Sequence, residues 1–289
     1  MMNNSFDFKR DFAVFILSHC RANDIKTVNT LKKGNYTGKY YIVIDNEDDQ
    51  EQLYFDKFGD KVIQFDKKEI ADRTDTGDMD TDRRVGVFAR NKIQELARDM
   101  GYKYHLQLDD DFSGFTFRYI KDNRLANCRC KDLDKLFEAV VKYQNDTKIT
   151  ALSFGLSSDY LGGIKSKKYE EGMFRKTMGT FFLRQDDINM FKMRMNDDIT
   201  TCILNGTKGK LYYSIAFVQT ETPPTQRMSG GMTDAYQDNG TYRKSFYSVL
   251  CCPSCVKIAL MGIKNYRIHH KISWNNCSPK LLNERYKKK

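Results

Sequence analysis

The chain has 289 residues, with 48 Lys and Arg against 38 Asp and Glu, for a formal net charge of +10. A charged share of 30 % beside 13 % aromatics excludes a disordered polyelectrolyte, and no run approaches the roughly 18 apolar residues of a membrane span. The early apolar run has no signal-peptide pattern, so the eight cysteines read as reduced thiols of a cytoplasmic protein rather than as a disulfide framework.

In chain order, DFAVFILSH (11–19) reads as a buried strand. NDIKTVNTLKKGNY (23–36) follows as a helix capped by Asn23 or Asp24 and closed near Gly34. KYYIVIDN (39–46) is a second strand, NEDDQEQLYFDKFG (46–59) an acidic helix, and KVIQFDK (61–67) a third strand. The polar segment 69–84 predicts a mobile surface loop, since nothing in it compensates burial. RVGVFARNKIQELARDMG (84–101) is amphipathic and helical, and YKYHLQL (102–108) is a fourth strand. Strand and helix alternating at this spacing predict an α/β fold, a mostly parallel Rossmann-like sheet covered on both faces. Beyond residue 112 the pattern loosens into FTFRYI (115–120), a helix over 132–146, strands over 149–155 and 177–184, a basic loop with KSKK (165–168), and short mixed elements.

Charge divides unevenly along the chain. Residues 1–150 hold 26 basic and 27 acidic side chains, and residues 151–289 hold 22 and 11. A basic half beside a neutral one predicts that the second half meets a polyanion, although a well-solvated basic surface is the plainer reading.

In open α/β sheets, ligands bind outside the carboxyl ends of the strands. The residues expected there are Ser18, His19 and Arg21, then Asp45 and Asn46, then Asp66, then Asp109, Asp110 and Asp111. Adjacent carboxylates raise one another's pKa unless a cation compensates, and hard ions such as Mg²⁺ or Mn²⁺ take oxygen ligands. On an extended segment Asp109 and Asp111 face one side and Asp110 the other. Asp109 and Asp111 therefore read as a metal pair, with Asp110 behind them or on a ribose hydroxyl. An acidic turn that only caps the next segment is the alternative.

The order FILSH, IVIDN, FARNKIQELARDMGYKYHLQLDDDF resembles a GT-A-fold glycosyltransferase, and more narrowly the phage TET-associated enzymes that glycosylate hydroxymethylated pyrimidines in DNA. The likeness covers residues 11–112 and, more loosely, 177–279. It implies a donor-binding half (1–112) and an acceptor-binding and catalytic half (113–289) within one continuous domain. Asp45 would meet the nucleotide base or ribose, and Arg90 and Asn91 would lie at the donor site with Ser18, His19, Arg21, Asp109 and Asp110. Asp109 and Asp111 would hold Mn²⁺ or Mg²⁺ under the diphosphate of a nucleotide-sugar, a UDP-sugar first. An acid near the start of the helix in RMNDDITTCILNG (194–206) would deprotonate the acceptor in an inverting reaction, Asp198 first and Asp197 in reserve; helix capping is the other reading of both. A late histidine, His269 or His270, would complete the metal site.

In residues 225–248, Gly, Tyr and Arg interleave, as suits phosphate contacts and base stacking. Arg227, Gly230, Gly231, Tyr242, Arg243 and Lys244 are the expected acceptor contacts, with the target base flipped or locally single-stranded. Cys128, Cys130, Cys252 and Cys255 form two close pairs; buried free thiols are the default reading and a structural zinc the alternative. The overall expectation is a metal-dependent glycosyltransferase acting on modified DNA, with no membrane association. A GT-A enzyme with a saccharide or protein acceptor, and a non-catalytic DNA-binding module on a degenerate GT-A fold, are the competing readings.

Overall fold

Alternate residues of the first strand pack into different cores. In the computed structural model, which describes residues 6–222, 243–261, 267–277 and 284, strand β1 (Phe12–Leu17) follows a short helix α1 (Phe8–Asp11). Phe12, Val14 and Ile16 belong to one hydrophobic cluster, Ala13 and Phe15 to another, and all five are buried. A strand apolar at every position is what a sheet covered on both faces demands. Each fully buried large side chain of this kind stabilises by about 1.5–3 kcal/mol.

Helix α2 (Lys26–Lys33), strand β2 (Lys39–Asp45), helix α3 (Glu51–Phe58), strand β3 (Val62–Phe65), helices α4 (Lys67–Asp72) and α5 (Val87–Asp99) and strand β4 (Tyr104–Asp109) complete the alternating part. The order β3-β2-β1-β4 is parallel throughout. Leu17 stands opposite Val43 and Asp109, and Asp45 opposite Phe65, so these strands end along one edge. The rest of the sheet is mixed. Strands β5 (Gly114–Lys121) and β6 (Arg124–Arg129) form a hairpin; helix α6 (Leu133–Thr147) and strand β7 (Ala151–Gly155) follow, then helix α7 (Lys167–Glu171), strands β8 (Met173–Phe174) and β9 (Thr180–Arg184), helix α8 (Asp197–Thr207) and strand β10 (Tyr212–Glu221). The sheet continues β4-β9-β7-β10-β5-β6, with β8 beside β10, and β9 and β5 run antiparallel to their neighbours. Residues 243–251 are helical (α9). Strands β11 (Val256–Met261) and β12 (Arg267–Ile272) form a separate antiparallel pair.

Four expectations need correction. Helix α2 is preceded by Ile25, with no side-chain cap from Asn23 or Asp24; Thr27 in its first turn bonds the end of β4 instead. The second half contains a ten-residue strand, β10, not only short elements. LYYSIAFVQTE alternates imperfectly because a bulge lies between Ile215 and Gln219, which blurs the two-residue period. Residues 69–72 are helical.

The fourth correction concerns the remaining acidic loop, which is clamped. Met193 and Arg194 donate backbone hydrogen bonds to the Asp75 and Thr76 carbonyls at 2.9 and 3.0 Å. Arg194, only 3 % exposed, grips Asp78 with Nε and Nη2 at 2.9 and 2.8 Å and also reaches the Asp80 and Asp82 carbonyls. Tyr247 donates to Asp78, and Arg243 to Asp80 at 2.9 Å. What compensates this loop lies more than a hundred residues away, and no local pattern displays it. Among the described residues, no helix is long and apolar enough to cross a membrane.

Candidate active site

The turn after β4 is held from beneath by α2. Thr27 donates its hydroxyl to the Asp109 carbonyl (2.6 Å), accepts from Phe112 N–H (3.0 Å) and donates its own N–H to the Asp110 carbonyl (3.1 Å). Thr30 Oγ1 donates to the Phe112 carbonyl at 2.8 Å. This support presents three consecutive carboxylates in three environments. Asp110 is buried, accepting from Ser18 Oγ at 2.6 Å and Arg21 Nη1 at 2.7 Å. Burial still outweighs these partners and raises its pKa. Asp109 is part-exposed and accepts from Arg90 Nη2 at 2.8 Å. Asp111 has no ion-pair partner among the described residues, and burial, then the charges of Asp109 and Asp110, push it up to about 6.

The β1 and β2 ends form a second cluster. His19 Nδ1 is 3.0 Å from Asp45 Oδ2, and the buried Lys67 ammonium is 3.2 Å from the same oxygen. Burial opposes ionisation of Asp45, but the His19 hydrogen bond and Lys67 together hold it below the usual carboxylate range. A hydrogen-bonded chain runs from Arg21 N–H to Tyr54 Oη (2.9 Å), then to Ser18 Oγ (2.8 Å), then to Asp110. Tyr54 and Lys67 escaped the reading of the sequence. A lysine directly after the polar end of a strand was the available signal for Lys67; Tyr54 lies in an acidic helix with none. Asp66 caps α4 by accepting from Glu69 N–H at 3.0 Å.

Arg90 links the two halves of the site. Gln107 in β4 donates to the Arg90 carbonyl at 3.0 Å, which anchors α5 on the sheet. The guanidinium lies 4.9 Å from the Phe181 ring and 6.0 Å from Phe191, and its Nε stands 3.0 Å from Asp197 Oδ2 at an angle that makes an ion pair but no hydrogen bond. Burial opposes its charge, but Asp109, Asp197 and Asp198 stabilise it strongly. Asn91 does not open onto the cleft. It is 1 % exposed and exchanges hydrogen bonds with the Phe191 backbone at 3.0 and 2.7 Å, so it fastens the segment before α8.

Asp197 and Asp198 open α8 deep in the cleft, part-exposed but surrounded by protein. Burial, reinforced by Asp198 and Asp109 against the pull of Arg90, brings Asp197 up to about 7. Burial also raises Asp198, whose Oδ1 accepts from Ile199 N–H at 2.6 Å. Asn196, in the left-handed region at φ 56°, gives α8 no side-chain cap; its amide donates to the Lys244 carbonyl at 2.7 Å and lies 3.2 Å from His270 Nδ1. Burial, then His269 and Lys244, lower His270 to about 4. His269 Nδ1 is 2.9 Å from the His270 carbonyl.

Asp109 and Asp111 do not gather with either histidine. Among the described residues the one set of three His, Cys, Asp or Glu ligand atoms within 4.8 Å of one another is His19, Cys20 and Asp48. The Asp109 region nevertheless fits a hard cation. Five carboxylates (Asp109, Asp110, Asp111, Asp197, Asp198) meet the guanidiniums of Arg21 and Arg90, and burial first, then the neighbouring like charges, raise the pKa of Asp110, Asp111, Asp197 and Asp198.

Of the expected acceptor residues, Arg227, Gly230, Gly231 and Tyr242 lie outside the described residues. Arg243 faces the acidic loop and Lys244 neighbours His270. Cys128 and Cys130 do not meet Cys252 and Cys255. Cys130 lies in the main core beside α6 and Cys128 is exposed on β6, whereas Cys252 and Cys255 pack with Cys277 against α8.

Among solved structures, the chain is similar to a mycobacterial protein (9 % identity, 91 % of this chain and 84 % of that chain covered, TM-score 0.49). It is also similar to glucosyl-3-phosphoglycerate synthase from Mycobacterium tuberculosis in complex with Mg²⁺ and UDP (10 %, 91 % and 88 %, 0.47). A third is CMP:2-keto-3-deoxy-manno-octonic acid synthetase complexed with CTP (10 %, 79 % and 96 %, 0.39). No curated protein matches the chain significantly. The model of the TET-associated glycosyltransferases matches residues 12–231, and the chain belongs to that family of glycosyl-transferring enzymes.

Proposed function

We propose that this glycosyltransferase moves a sugar from a nucleotide-sugar, UDP-linked first, to the hydroxymethyl oxygen of a modified pyrimidine in phage DNA, with Mn²⁺ or Mg²⁺ at the Asp109 and Asp111 carboxylates. The observation that carries this reading is Arg90, which holds Asp109 at 2.8 Å and Asp197 at 3.0 Å and so sets a metal-type carboxylate and an acceptor-side acid across one cleft. A bound divalent ion supplies the positive charge that offsets the leaving diphosphate.

The protein's own groups supply the rest. Asp45, with His19 and Lys67, fits the hydroxyls and base edge of a nucleoside, and Arg21, paired with Asp110 at 2.7 Å, adds positive charge behind the aspartate turn. Asp198 is the better placed base. Asp197 Oδ2 is paired with Arg90, whereas among the described residues Asp198 accepts only from the Ile199 N–H, which leaves a carboxylate oxygen for the acceptor. In an inverting transfer the acceptor oxygen bonds the anomeric carbon as the bond to the diphosphate breaks. The bonding pair leaves with the diphosphate, and Asp198 takes the hydroxyl proton. Burial of a carboxylate raises its basicity toward neutral pH, which suits this task.

Purified protein with Mn²⁺ and labelled nucleotide-sugars should mark hydroxymethylated DNA, and nucleoside mass spectrometry should find one added sugar on a pyrimidine. Transfer only to free saccharides or proteins would replace the DNA reading. No transfer to any acceptor would remove both.

A further inference from the structure

The sharp turn at the mouth of β1 assembles a mixed nitrogen, sulfur and oxygen set, of which the proposed transferase chemistry uses only His19. Cys20 has a left-handed backbone at φ 54°, which non-glycine residues rarely adopt. This conformation turns its N–H onto Asp48 Oδ2 (2.8 Å) and its thiol toward Asp49 Oδ1 (3.2 Å). Asp48 is itself fixed, its side chain fully enclosed and its Oδ1 accepting from Gln50 N–H at 2.9 Å. His19 comes from the opposite side, with Nδ1 3.7 Å from Asp48 Oδ2. A tetrahedral ion about 2.0–2.3 Å from each donor sets donor-to-donor separations of about 3.3–3.8 Å. The three ligand atoms lie within 4.8 Å of one another, so small side-chain rotations close the set.

We infer that His19, Cys20 and Asp48 form a second cation site, of the zinc class and with ligands distinct from Asp109 and Asp111. Imidazole and thiolate favour a borderline ion such as Zn²⁺ over Mg²⁺ or Mn²⁺, which prefer all-oxygen shells. Binding exchanges the hydrogen bond of His19 Nδ1 to Asp45 for a metal–nitrogen bond and releases the thiol proton to solvent. Asp45 stays paired through Lys67, 3.2 Å away. Asp49 Oδ1, 3.2 Å from the thiol, is a further oxygen beside the set.

Co²⁺ is the probe, because a thiolate ligand gives it a sulfur-to-metal charge-transfer band that oxygen ligands do not. Titration of the reduced, chelator-treated full chain should develop this band, and Zn²⁺ should abolish it. Cys20→Ser should lose the band with its melting temperature unchanged, and His19→Gln should weaken Co²⁺ binding by at least about tenfold. Asp111→Asn should retain the band. No band in the wild type, or a band that survives Cys20→Ser, overturns the site; so does Co²⁺ affinity unchanged within about twofold in both variants. Sugar transfer is not read in this experiment, so its outcome is separate from that of the proposed function.

Discussion

Asp110 and Asp111 are neighbours in the chain and opposites in the fold. Asp110 is enclosed by Ser18 and Arg21, while Asp111 has no ion-pair partner among the described residues and is pushed up to about 6 by burial, then by Asp109 and Asp110, against the weaker pull of Arg21. A carboxyl raised above its unfolded value of about 3.9 costs nothing below that pH and destabilises as pH climbs through the folded value. Without divalent ions, the melting temperature should fall between about pH 4 and 6.5; Asp111→Asn should remove part of the fall, raising the melting temperature at pH 7.5 and not at pH 4. Mn²⁺ should stabilise the wild type at pH 7.5 more than at pH 5.5, which differential scanning fluorimetry would show. For Asp198, the expected outcome of Asp198→Asn is a 10²–10⁴-fold lower kcat at unchanged nucleotide affinity, about the contribution of a general base. Equal losses in Asp197→Asn and Asp198→Asn would argue instead for a joint electrostatic role. The acidity of LDDD was legible at this scale. The partners that differentiate its members, from Ser18, Arg21 and Arg90, were not, because they approach from other elements.

At the scale of elements, two attachments determine the shape of the cleft. Thr27 ties the first turn of α2 to both ends of the aspartate turn. Thr27→Val keeps the volume but removes the hydroxyl bonds, and should cost about 1–3 kcal/mol in denaturant unfolding together with weaker nucleotide binding. The second attachment is the Arg194 clamp on the loop between α4 and α5. Arg194→Ala leaves Asp78 and two loop carbonyls without their principal donor, and should cost on the order of 3 kcal/mol. Limited proteolysis should then cut within residues 73–86, which the intact clamp protects. Arg194→Lys should rescue little, since a point charge cannot reproduce the forked contact. The β1 to β4 alternation was readable because burial on both faces writes an uninterrupted apolar signal. The loop was misread as mobile because its compensation comes from residues 193–194 and from α9.

For the whole molecule, the excess positive charge of residues 151–289 is partly consumed internally. Arg194 and Arg243 face Asp78 and Asp80 rather than open solvent. If the acceptor is DNA, the remaining basic groups should still make binding fall steeply between 50 and 200 mM salt, with a log–log slope of about −0.9 per phosphate contacted. Fluorescence anisotropy across that range would measure it, and a salt-independent affinity would argue for a saccharide or protein acceptor.

By itself the sequence determined the α/β class, the strand ends that collect polar residues and the family of glycosyl-transferring enzymes, because periodicity and motif order are local properties of a chain. Only the tertiary structure decided which carboxylates are compensated, that Asn91 is a fastener rather than an open cleft residue, and that His270 stands by Asn196, with neither His269 nor His270 grouped with Asp109 and Asp111 among the described residues. Those outcomes depend on which distant side chains share a few ångströms, as His270 and Asn196 do. Charge compensation falls off over that distance in the protein interior, and sequence separation carries no record of it.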